Sequence, residues 1–290
     1  MKKAFVCIHG FGTDPGVSGP GFSHALRDNV RNALRQDIVW EEVVWSDLLE
    51  SPPTESLVEF ARHVPEIVRK FYRGAPGQAI MARVSEAVGV AFEKADGLPV
   101  VLVGHSFGGA IAYEAIARRK AKKAKGLVML APPMGIFNNP QSFVRSVKSH
   151  GIACRGLATA LRQRTLGGRA VGFPKVKGGR LQCVSALAIR GEGDLFAEPL
   201  THKFFDVDDM TVTPPQDACG SGKHQFYWRS RKVAESVAGI AVSCVERLSR
   251  WKCFPLPISD RDWELLHSVR GSGMRIIYDR KGRDIGVEVS

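Results

Sequence analysis

Three short segments of the chain carry side chains that together could perform nucleophilic chemistry. The first, Gly104-His105-Ser106-Phe107-Gly108, holds a serine between two glycines. The second, Arg190-Gly191-Glu192-Gly193-Asp194, ends on a carboxylate, and the third, Cys219-Gly220-Ser221-Gly222-Lys223-His224, ends on an imidazole. A serine hydroxyl is a poor nucleophile at neutral pH. It attacks carbonyl carbon efficiently only when an imidazole accepts its proton and a carboxylate orients that imidazole.

The surroundings of Ser106 predict a buried strand, a sharp turn and a helix. Val100 to Val103 is an apolar, β-branched run, and Ala110 to Ala117 has helical composition. We expect glycine at Gly104 and Gly108 because a Cβ would collide with backbone in so tight a turn, and we expect a strained backbone at Ser106 itself. The alternative to a nucleophile turn is a glycine-rich turn that contains a serine by chance. The position of the motif between a strand and a helix is therefore stronger evidence for a nucleophile than the motif itself.

The rest of the chain alternates between predicted strands and predicted helices. Strands are expected at 5–8, 37–45, 100–103, 127–130 and 184–189, with a sixth between 203 and 213. Helices are expected at 23–35, 55–72, 78–94, 110–117 and 224–251. This order predicts an α/β fold with a doubly wound, mostly parallel six-stranded sheet and with ligands at the carboxyl ends of the strands. His9, Ser106 and the residues after Ile189 would all emerge at that edge.

We expect one main domain at residues 1–250. Residues 134–180 contain several glycines and no predicted strand. An insertion of this length at the carboxyl end of a strand would form a cap over the site. Residues 251–290 are predicted to form a C-terminal extension with a helix at 259–269 and a β-hairpin after it.

The positive charge is concentrated in one stretch of the sequence. The 290 residues carry a net charge of +12, and between Glu114 and Glu192 there are sixteen Lys and Arg and no acidic residue. Six of them lie in 118–125, at a predicted helix end, where we expect a solvated role. Nine lie in 145–180, where they could attract an anionic substrate, dock on an acidic membrane surface, or be merely solvated. Nucleic-acid binding is disfavoured because the segment has few aromatic residues for base stacking.

Several classes of protein are disfavoured by what the sequence lacks. No apolar run approaches the about 18 residues that a membrane-spanning helix needs. The run from Ala4 to Ile8 is too short for the core of a signal peptide. The six cysteines include no C-x-x-C pair, so we expect reduced thiols, no metal and a cytoplasmic protein. The glycine-rich loop after Ile8 lacks the phosphate-binding patterns, and we expect no organic cofactor.

With these segments in this order, the chain resembles the α/β-hydrolase family over about residues 4–250. The resemblance is carried by His9-Gly10-Phe11-Gly12, by the glycine–serine turn, and by the order of nucleophile, acid and histidine. It implies Ser106 as the nucleophile, Asp194 as the orienting carboxylate, and His224 as the general base and then acid. It also implies an oxyanion hole made of backbone N–H groups. The residues expected there are Phe11 and Phe107, with His9, Gly10, Gly104, His105 and Gly108 flanking the site.

Two of these roles have rival residues. Any acid in the loops after the fifth and sixth strands could orient the imidazole, and the rivals of Asp194 are Glu192, Asp206, Asp208 and Asp209. His202 is a second candidate for the base. It precedes the sixth strand and would lie on the wrong side of it, so we favour His224.

The activity that the resemblance implies is that of a serine hydrolase of the carboxylesterase or lipase type. Such an enzyme cleaves a carboxylic ester or thioester of a small-molecule or lipid substrate through an acyl-enzyme intermediate. A lactonase, an amidase or an acyltransferase would use the same three side chains. A non-catalytic binding protein would keep the fold without the chemistry.

Overall fold

The computed structural model describes eleven parts of the chain: residues 2–11, 21–49, 67, 69–134, 184–194, 197, 200, 207–218, 222–251, 274–278 and 284–289. Apart from Met134, the predicted cap at 134–180 lies outside them. The predicted helix at 259–269 also lies outside, as does most of the predicted helix at 55–72, of which residues 67 and 69–72 are described and helical.

Six parallel strands form one sheet: β1 (Lys3–Ile8), β2 (Ile38–Val43), β3 (Val100–His105), β4 (Ala124–Leu130), β5 (Ser185–Gly191) and β6 (Asp208–Val212). Their order across the sheet is β2-β1-β3-β4-β5-β6. Every residue of β1 and β3 is buried, as expected of parallel strands that are covered on both faces. The predicted α/β fold with a six-stranded parallel sheet is therefore confirmed.

The helices whose bounds the structure defines are α1 (His24–Leu34), α2 (Ala75–Lys94), α3 (Phe107–Ala117), α4 (Gly222–Gln225) and α5 (Arg231–Trp251). The prediction of a single helix at 224–251 was wrong. After α4 the chain tightens into a 3₁₀ turn, Phe226–Trp228. The long helix α5 starts only at Arg231, where the Ser230 hydroxyl accepts a hydrogen bond from the Val233 N–H (3.4 Å) and so caps the new helix.

The helices cover both faces of the sheet and leave the carboxyl ends of its strands at an open edge. On one face, Ile80 and Val84 of α2 and Ile111 of α3 belong to the same buried apolar cluster as Leu102 of β3. On the other face, α1 and α5 pack over Val101 in a second cluster. Because both faces are covered, the loops at the ends of the strands are the places where the site can open to substrate.

Two described strands of the C-terminal region pair with each other. Strands β7 (Met274–Tyr278) and β8 (Asp284–Val289) pair antiparallel. In the described parts of the chain, no helix combines the length and the apolar content that crossing a membrane requires.

Candidate active site

Ser106 lies in the sharp turn between β3 and α3, at the carboxyl edge of the sheet. Its backbone has φ 52° and ψ −125°, a conformation that residues with a Cβ rarely adopt. The Ser106 N–H donates to the Leu130 carbonyl oxygen (2.7 Å), and the Gly109 N–H donates to the Ser106 carbonyl oxygen (2.9 Å). The strained turn is thus fixed to the end of β4 and to the first turn of α3.

Glycines around Ser106 allow separate stretches of backbone to pack in direct contact. A Cβ at Gly104 would come within 2.3 Å of the Gly108 carbonyl oxygen, and a Cβ at Gly108 within 2.3 Å of the Ile8 carbonyl oxygen. A Cβ at Gly10 would lie 2.7 Å from the Ser106 Cβ. No side chain fits at these distances, so the loop after β1 lies directly against the serine turn.

Phe11 and Phe107, the two residues predicted to supply oxyanion-hole N–H groups, contact each other through their side chains. Their rings stack with centroids 4.6 Å apart, and Trp45 meets the Phe11 ring edge-on at 5.1 Å. Phe107 is fully buried. Since Phe107 follows Ser106 in the chain and Phe11 follows the tightly packed Gly10, this stacking holds both residues beside the serine.

His9 is buried and both of its ring nitrogens are used. The Trp45 backbone N–H donates to Nε2 (3.1 Å), so the ring proton must sit on Nδ1, which donates to the Gly10 carbonyl oxygen (2.7 Å). The Trp45 indole stacks on the imidazole at 4.9 Å and donates to the His9 carbonyl oxygen (2.8 Å). Burial lowers the pKa of His9. His9 therefore holds the β1 loop in place as a neutral ring.

His105 links the serine segment to the histidine segment. Its Nε2 lies 2.7 Å from the His224 carbonyl oxygen, and because a carbonyl only accepts, Nε2 must carry the ring proton. The two imidazole rings lie 4.8 Å apart. Burial, with a smaller contribution from His224, holds the pKa of His105 well below its usual range. His105 directly precedes Ser106 in the chain. As a neutral, fixed ring it thus anchors the backbone of His224 beside the serine segment.

Asp194 and His224 meet as the sequence predicts. His224 Nδ1 lies 3.0 Å from Asp194 Oδ2 and 3.1 Å from Oδ1. The Asp194 side chain is 1% exposed and that of His224 is 13% exposed, so the pair lies at the edge of the solvent-accessible region. A carboxylate at Nδ1 fixes the tautomer that leaves Nε2 as the basic nitrogen.

Tyr227 belongs to this cluster, although the sequence analysis did not identify it. Its hydroxyl donates to Asp194 Oδ2 (2.6 Å) and accepts from the Gly191 N–H (2.6 Å). Burial, followed by the negative charge of Asp194, raises the pKa of Tyr227. The signal that could have revealed it is its position three residues after His224, because residues so spaced on a helix lie on the same side.

The rival residues do not form a comparable cluster among the described parts of the chain. Glu192 is exposed, Asp209 accepts from Arg190 Nε (3.3 Å), and Asp208 pairs with Leu187 at the first residue of β6. Asp206 and His202 lie outside the described residues.

The described part of the basic segment makes structural contacts. Arg118 pairs with the buried Glu114 (2.7 Å), and Lys123 Nζ lies 4.2 Å from the centre of the Phe92 ring. Five of the six basic residues of 118–125 are exposed, at positions 118, 119, 120, 122 and 123, as a solvated role requires. The nine basic residues of 145–180 lie outside the described residues.

Solved structures similar to this chain include esterases and a thioesterase. A hyperthermophilic esterase from Pyrobaculum calidifontis is 18% identical, with 85% of this chain and 78% of the esterase covered at a TM-score of 0.42. Carboxyl esterase 2 from Tuber melanosporum is 14% identical (80% and 79% covered, TM-score 0.43). The RedJ thioesterase from Streptomyces coelicolor is 13% identical (81% and 84% covered, TM-score 0.37). At these scores none of the three bears on the activity of this chain.

The comparison with curated proteins found no match. The model of the alpha/beta hydrolase family matches residues 5–258, which is most of the chain and includes the serine turn, the acid and the histidine. The chain belongs to the α/β hydrolase family.

Proposed function

We propose that the protein is a serine hydrolase that cleaves a carboxylic ester or thioester through an acyl-enzyme intermediate. Ser106 is the nucleophile, His224 is the general base and then acid, and Asp194 orients the imidazole. The observation that supports this most is the bond of 3.0 Å between His224 Nδ1 and the buried carboxylate of Asp194. That bond occurs in a chain of the α/β hydrolase family whose serine lies in a strained strand-to-helix turn.

The proposed reaction has two halves that mirror each other. In the first, Ser106 Oγ attacks the substrate carbonyl carbon while His224 Nε2 takes the hydroxyl proton, and that proton then goes to the departing alcohol or thiol. In the second, His224 removes a proton from water, which attacks the acyl carbon and releases the carboxylic acid. Ser106 recovers its proton from His224, so the enzyme returns to its starting state.

The negative charge on the substrate oxygen needs donors in each half. We propose the backbone N–H groups of Phe11 and Phe107 for this role, because ring stacking and the close packing of Gly10 hold both residues beside Ser106. Each donor in such a site is worth about 3 kcal/mol of transition-state stabilisation.

The substrate proposal extends to residues 134–180, which we propose form a cap over the site within a main domain at 1–250. The nine basic residues at 145–180 would attract an anionic acyl group. p-Nitrophenyl hemisuccinate should then show a lower KM than p-nitrophenyl butyrate, and the difference should shrink as salt is added. Equal KM values at low salt would remove the anionic preference and leave the hydrolase proposal intact.

The central test compares two serine-to-alanine variants. Ser106→Ala should lose fluorophosphonate labelling and about a million-fold in the rate of p-nitrophenyl butyrate hydrolysis. Ser243→Ala is the matched control, because Ser243 is a buried serine of α5 that lies away from the candidate site. Its hydroxyl bonds to Ile240 in the same helix and to Ser185, which begins β5 at the edge of the sheet opposite to Ser106. It should keep both labelling and hydrolysis.

Two outcomes would contradict the proposal. Substantial hydrolysis by Ser106→Ala would show that another group is the nucleophile. A folded wild-type protein that neither reacts with the fluorophosphonate nor cleaves any ester or thioester would favour the alternative, a hydrolase-like binding protein.

A further inference from the structure

The Tyr227 hydroxyl occupies a position between two other groups of the site. Tyr227 is fully buried, and its oxygen is 2.6 Å from both the Gly191 nitrogen and Asp194 Oδ2. These two partners are the ends of one tight turn after β5, which is closed by a hydrogen bond from the Asp194 N–H to the Gly191 carbonyl oxygen (3.1 Å). One hydroxyl therefore holds the start of this turn and the carboxylate at its end.

The direction of each hydrogen bond follows from chemistry. A backbone N–H only donates, so Gly191 occupies a lone pair of the phenol oxygen and leaves the hydroxyl proton for Asp194. An ionised carboxylate only accepts, which agrees with that direction. Hydrogen bonds to an ionised acceptor are roughly twice as strong as neutral ones, so the bond to Asp194 is the stronger of the two.

Asp194 Oδ2 is shared between Tyr227 and His224. The same oxygen lies 2.6 Å from the Tyr227 hydroxyl and 3.0 Å from His224 Nδ1. His224 and Tyr227 are three residues apart, in α4 and the 3₁₀ turn that follows it. The segment that carries the imidazole therefore also carries the donor that restrains the carboxylate of that imidazole.

We propose that Tyr227 is a positioning residue that sets the orientation of Asp194 toward His224 and thereby supports proton transfer from the nucleophile. This inference rests on the proposed function, because it assigns Tyr227 a part in the same reaction. Tyr227 touches neither substrate nor the reacting atoms, and it acts only through the carboxylate.

Three other charged or titratable residues near Asp194 and His224 have described contacts that differ from that of Tyr227 with the carboxylate. His105 binds the backbone of His224 and not the imidazole. Arg190 bonds to Asp209. Lys223 Nζ lies near Gly193, 3.2 Å from where a Cβ would stand. Of the groups with described contacts to the Asp194 carboxylate, Tyr227 is the one that also bonds to the first residue of the β5 turn, Gly191.

The experiment compares two tyrosine-to-phenylalanine variants. Tyr227→Phe removes the hydroxyl and keeps the ring, and we expect kcat for p-nitrophenyl butyrate to fall about tenfold with KM within about twofold of wild type. Tyr72→Phe is the matched control, since the Tyr72 hydroxyl also donates to a buried carboxylate, Glu114 (3.1 Å). Its kcat should stay within about twofold of wild type.

A double-mutant cycle separates positioning from a structural role. If Tyr227 acts through Asp194, then Tyr227→Phe should have no further effect on kcat in the Asp194→Asn background. A structural role would give the same fold-loss in both backgrounds, which would overturn the inference. Rates are taken per folded molecule, from a urea unfolding curve of each variant.

Three further outcomes would each overturn the inference about Tyr227. Equal kcat values for Tyr227→Phe and Tyr72→Phe, in an enzyme whose wild type labels at Ser106, would overturn the inference and leave the proposed function standing. A Tyr227→Phe protein with no folded fraction, beside a folded Tyr72→Phe, would assign the hydroxyl a purely structural role. A wild type without Ser106-dependent hydrolysis would overturn the proposed function, and the inference with it.

Discussion

Two tyrosines, the fully buried Tyr227 and the half-buried Tyr72, donate to two buried carboxylates, and the third partner of the carboxylate differs between the two pairs. In the remote pair, the Tyr72 hydroxyl lies 3.1 Å from Glu114 Oε1, and the second carboxylate oxygen accepts from Arg118 (2.7 Å). In the pair at the candidate active site, Tyr227 donates to Asp194, which also accepts from an imidazole. The third partner of the carboxylate is a guanidinium in one case and an imidazole in the other.

That difference determines what each pair can do. A guanidinium stays protonated at any pH at which a protein is folded, so Arg118 holds the charge of Glu114 permanently in a fixed ion pair. An imidazole gains and loses its proton near neutral pH. In the proposed mechanism, Asp194 therefore stabilises a charge on His224 that appears and disappears during the reaction, while Glu114 stays paired with a permanent charge. The third partner of each carboxylate is thus what would separate a catalytic pair from a structural one.

The largest expected effect comes from removing the charge of each carboxylate. Asp194→Asn should lower kcat for p-nitrophenyl butyrate by about 10⁴-fold, because the amide no longer stabilises the imidazolium and favours the wrong tautomer of His224. Steady-state kinetics on the purified variant measure this loss.

Glu114→Gln is the control for that variant. It should leave kcat within about twofold of wild type and reduce the free energy of unfolding by about 1 kcal/mol, since the amide loses an ion pair whose Arg118 partner is half exposed and screened by solvent. A loss of turnover in Glu114→Gln as large as that in Asp194→Asn would remove the functional distinction between the two pairs.

A smaller effect concerns alkaline pH, where the two tyrosines should behave alike. Burial is the largest cause that raises the pKa of Tyr72 and of Tyr227, with a neighbouring carboxylate adding to it. A raised folded-state pKa means that the stability is fully present below the unfolded value of about 10 and is lost as pH rises above it. Each tyrosine should contribute a loss of about 1.4 kcal/mol per pH unit in that range.

Urea unfolding between about pH 9 and pH 11.5 measures this slope. Tyr72→Phe and Tyr227→Phe should each reduce it by a similar amount, although only the second should impair turnover. Slopes that differ strongly between the two variants would show that the two hydroxyls are not in equivalent electrostatic surroundings.

The smallest effect is expected at Arg118. Its side chain is 36% exposed, and it combines the ion pair to Glu114 with a position 5.2 Å from the centre of the Tyr72 ring. Arg118→Ala should lower the free energy of unfolding by about 0.5 to 1 kcal/mol and leave kcat unchanged, because solvent screens a half-exposed pair. Urea unfolding measures the change, and a decrease above about 3 kcal/mol would mean that the pair is effectively buried.

The features that could be predicted from the sequence are those that depend on neighbours in the chain. The strand before Ser106, its two glycines and the following helix are local, and steric limits on the backbone give them a sequence pattern. The shared carboxyl edge of parallel strands predicts that some acid of these loops lies near the imidazole, while the choice of Asp194 over its rivals came from the resemblance to the α/β-hydrolase family. The roles proposed for these residues in catalysis remain predictions.

The features that could not be predicted depend on partners far away in the sequence. His9 binds Trp45, and Tyr227 binds Gly191, each 36 residues distant. No periodicity marks such contacts. The break between α4 and α5 was missed for a related reason: no glycine or proline marks residues 226–230, and Ser230 was the single capping signal there.

The backbone of Ser106 carries a cost that the rest of the fold must offset. A residue with a Cβ at φ 52°, ψ −125° raises the energy of the folded chain by about 1 to 3 kcal/mol, and glycine at the same place would relieve most of it. A selection for more stable variants that measures only folding would therefore favour replacement of Ser106 by glycine, with loss of its hydroxyl. Directed evolution of this protein toward heat resistance should retain Ser106 only if turnover is selected in every round.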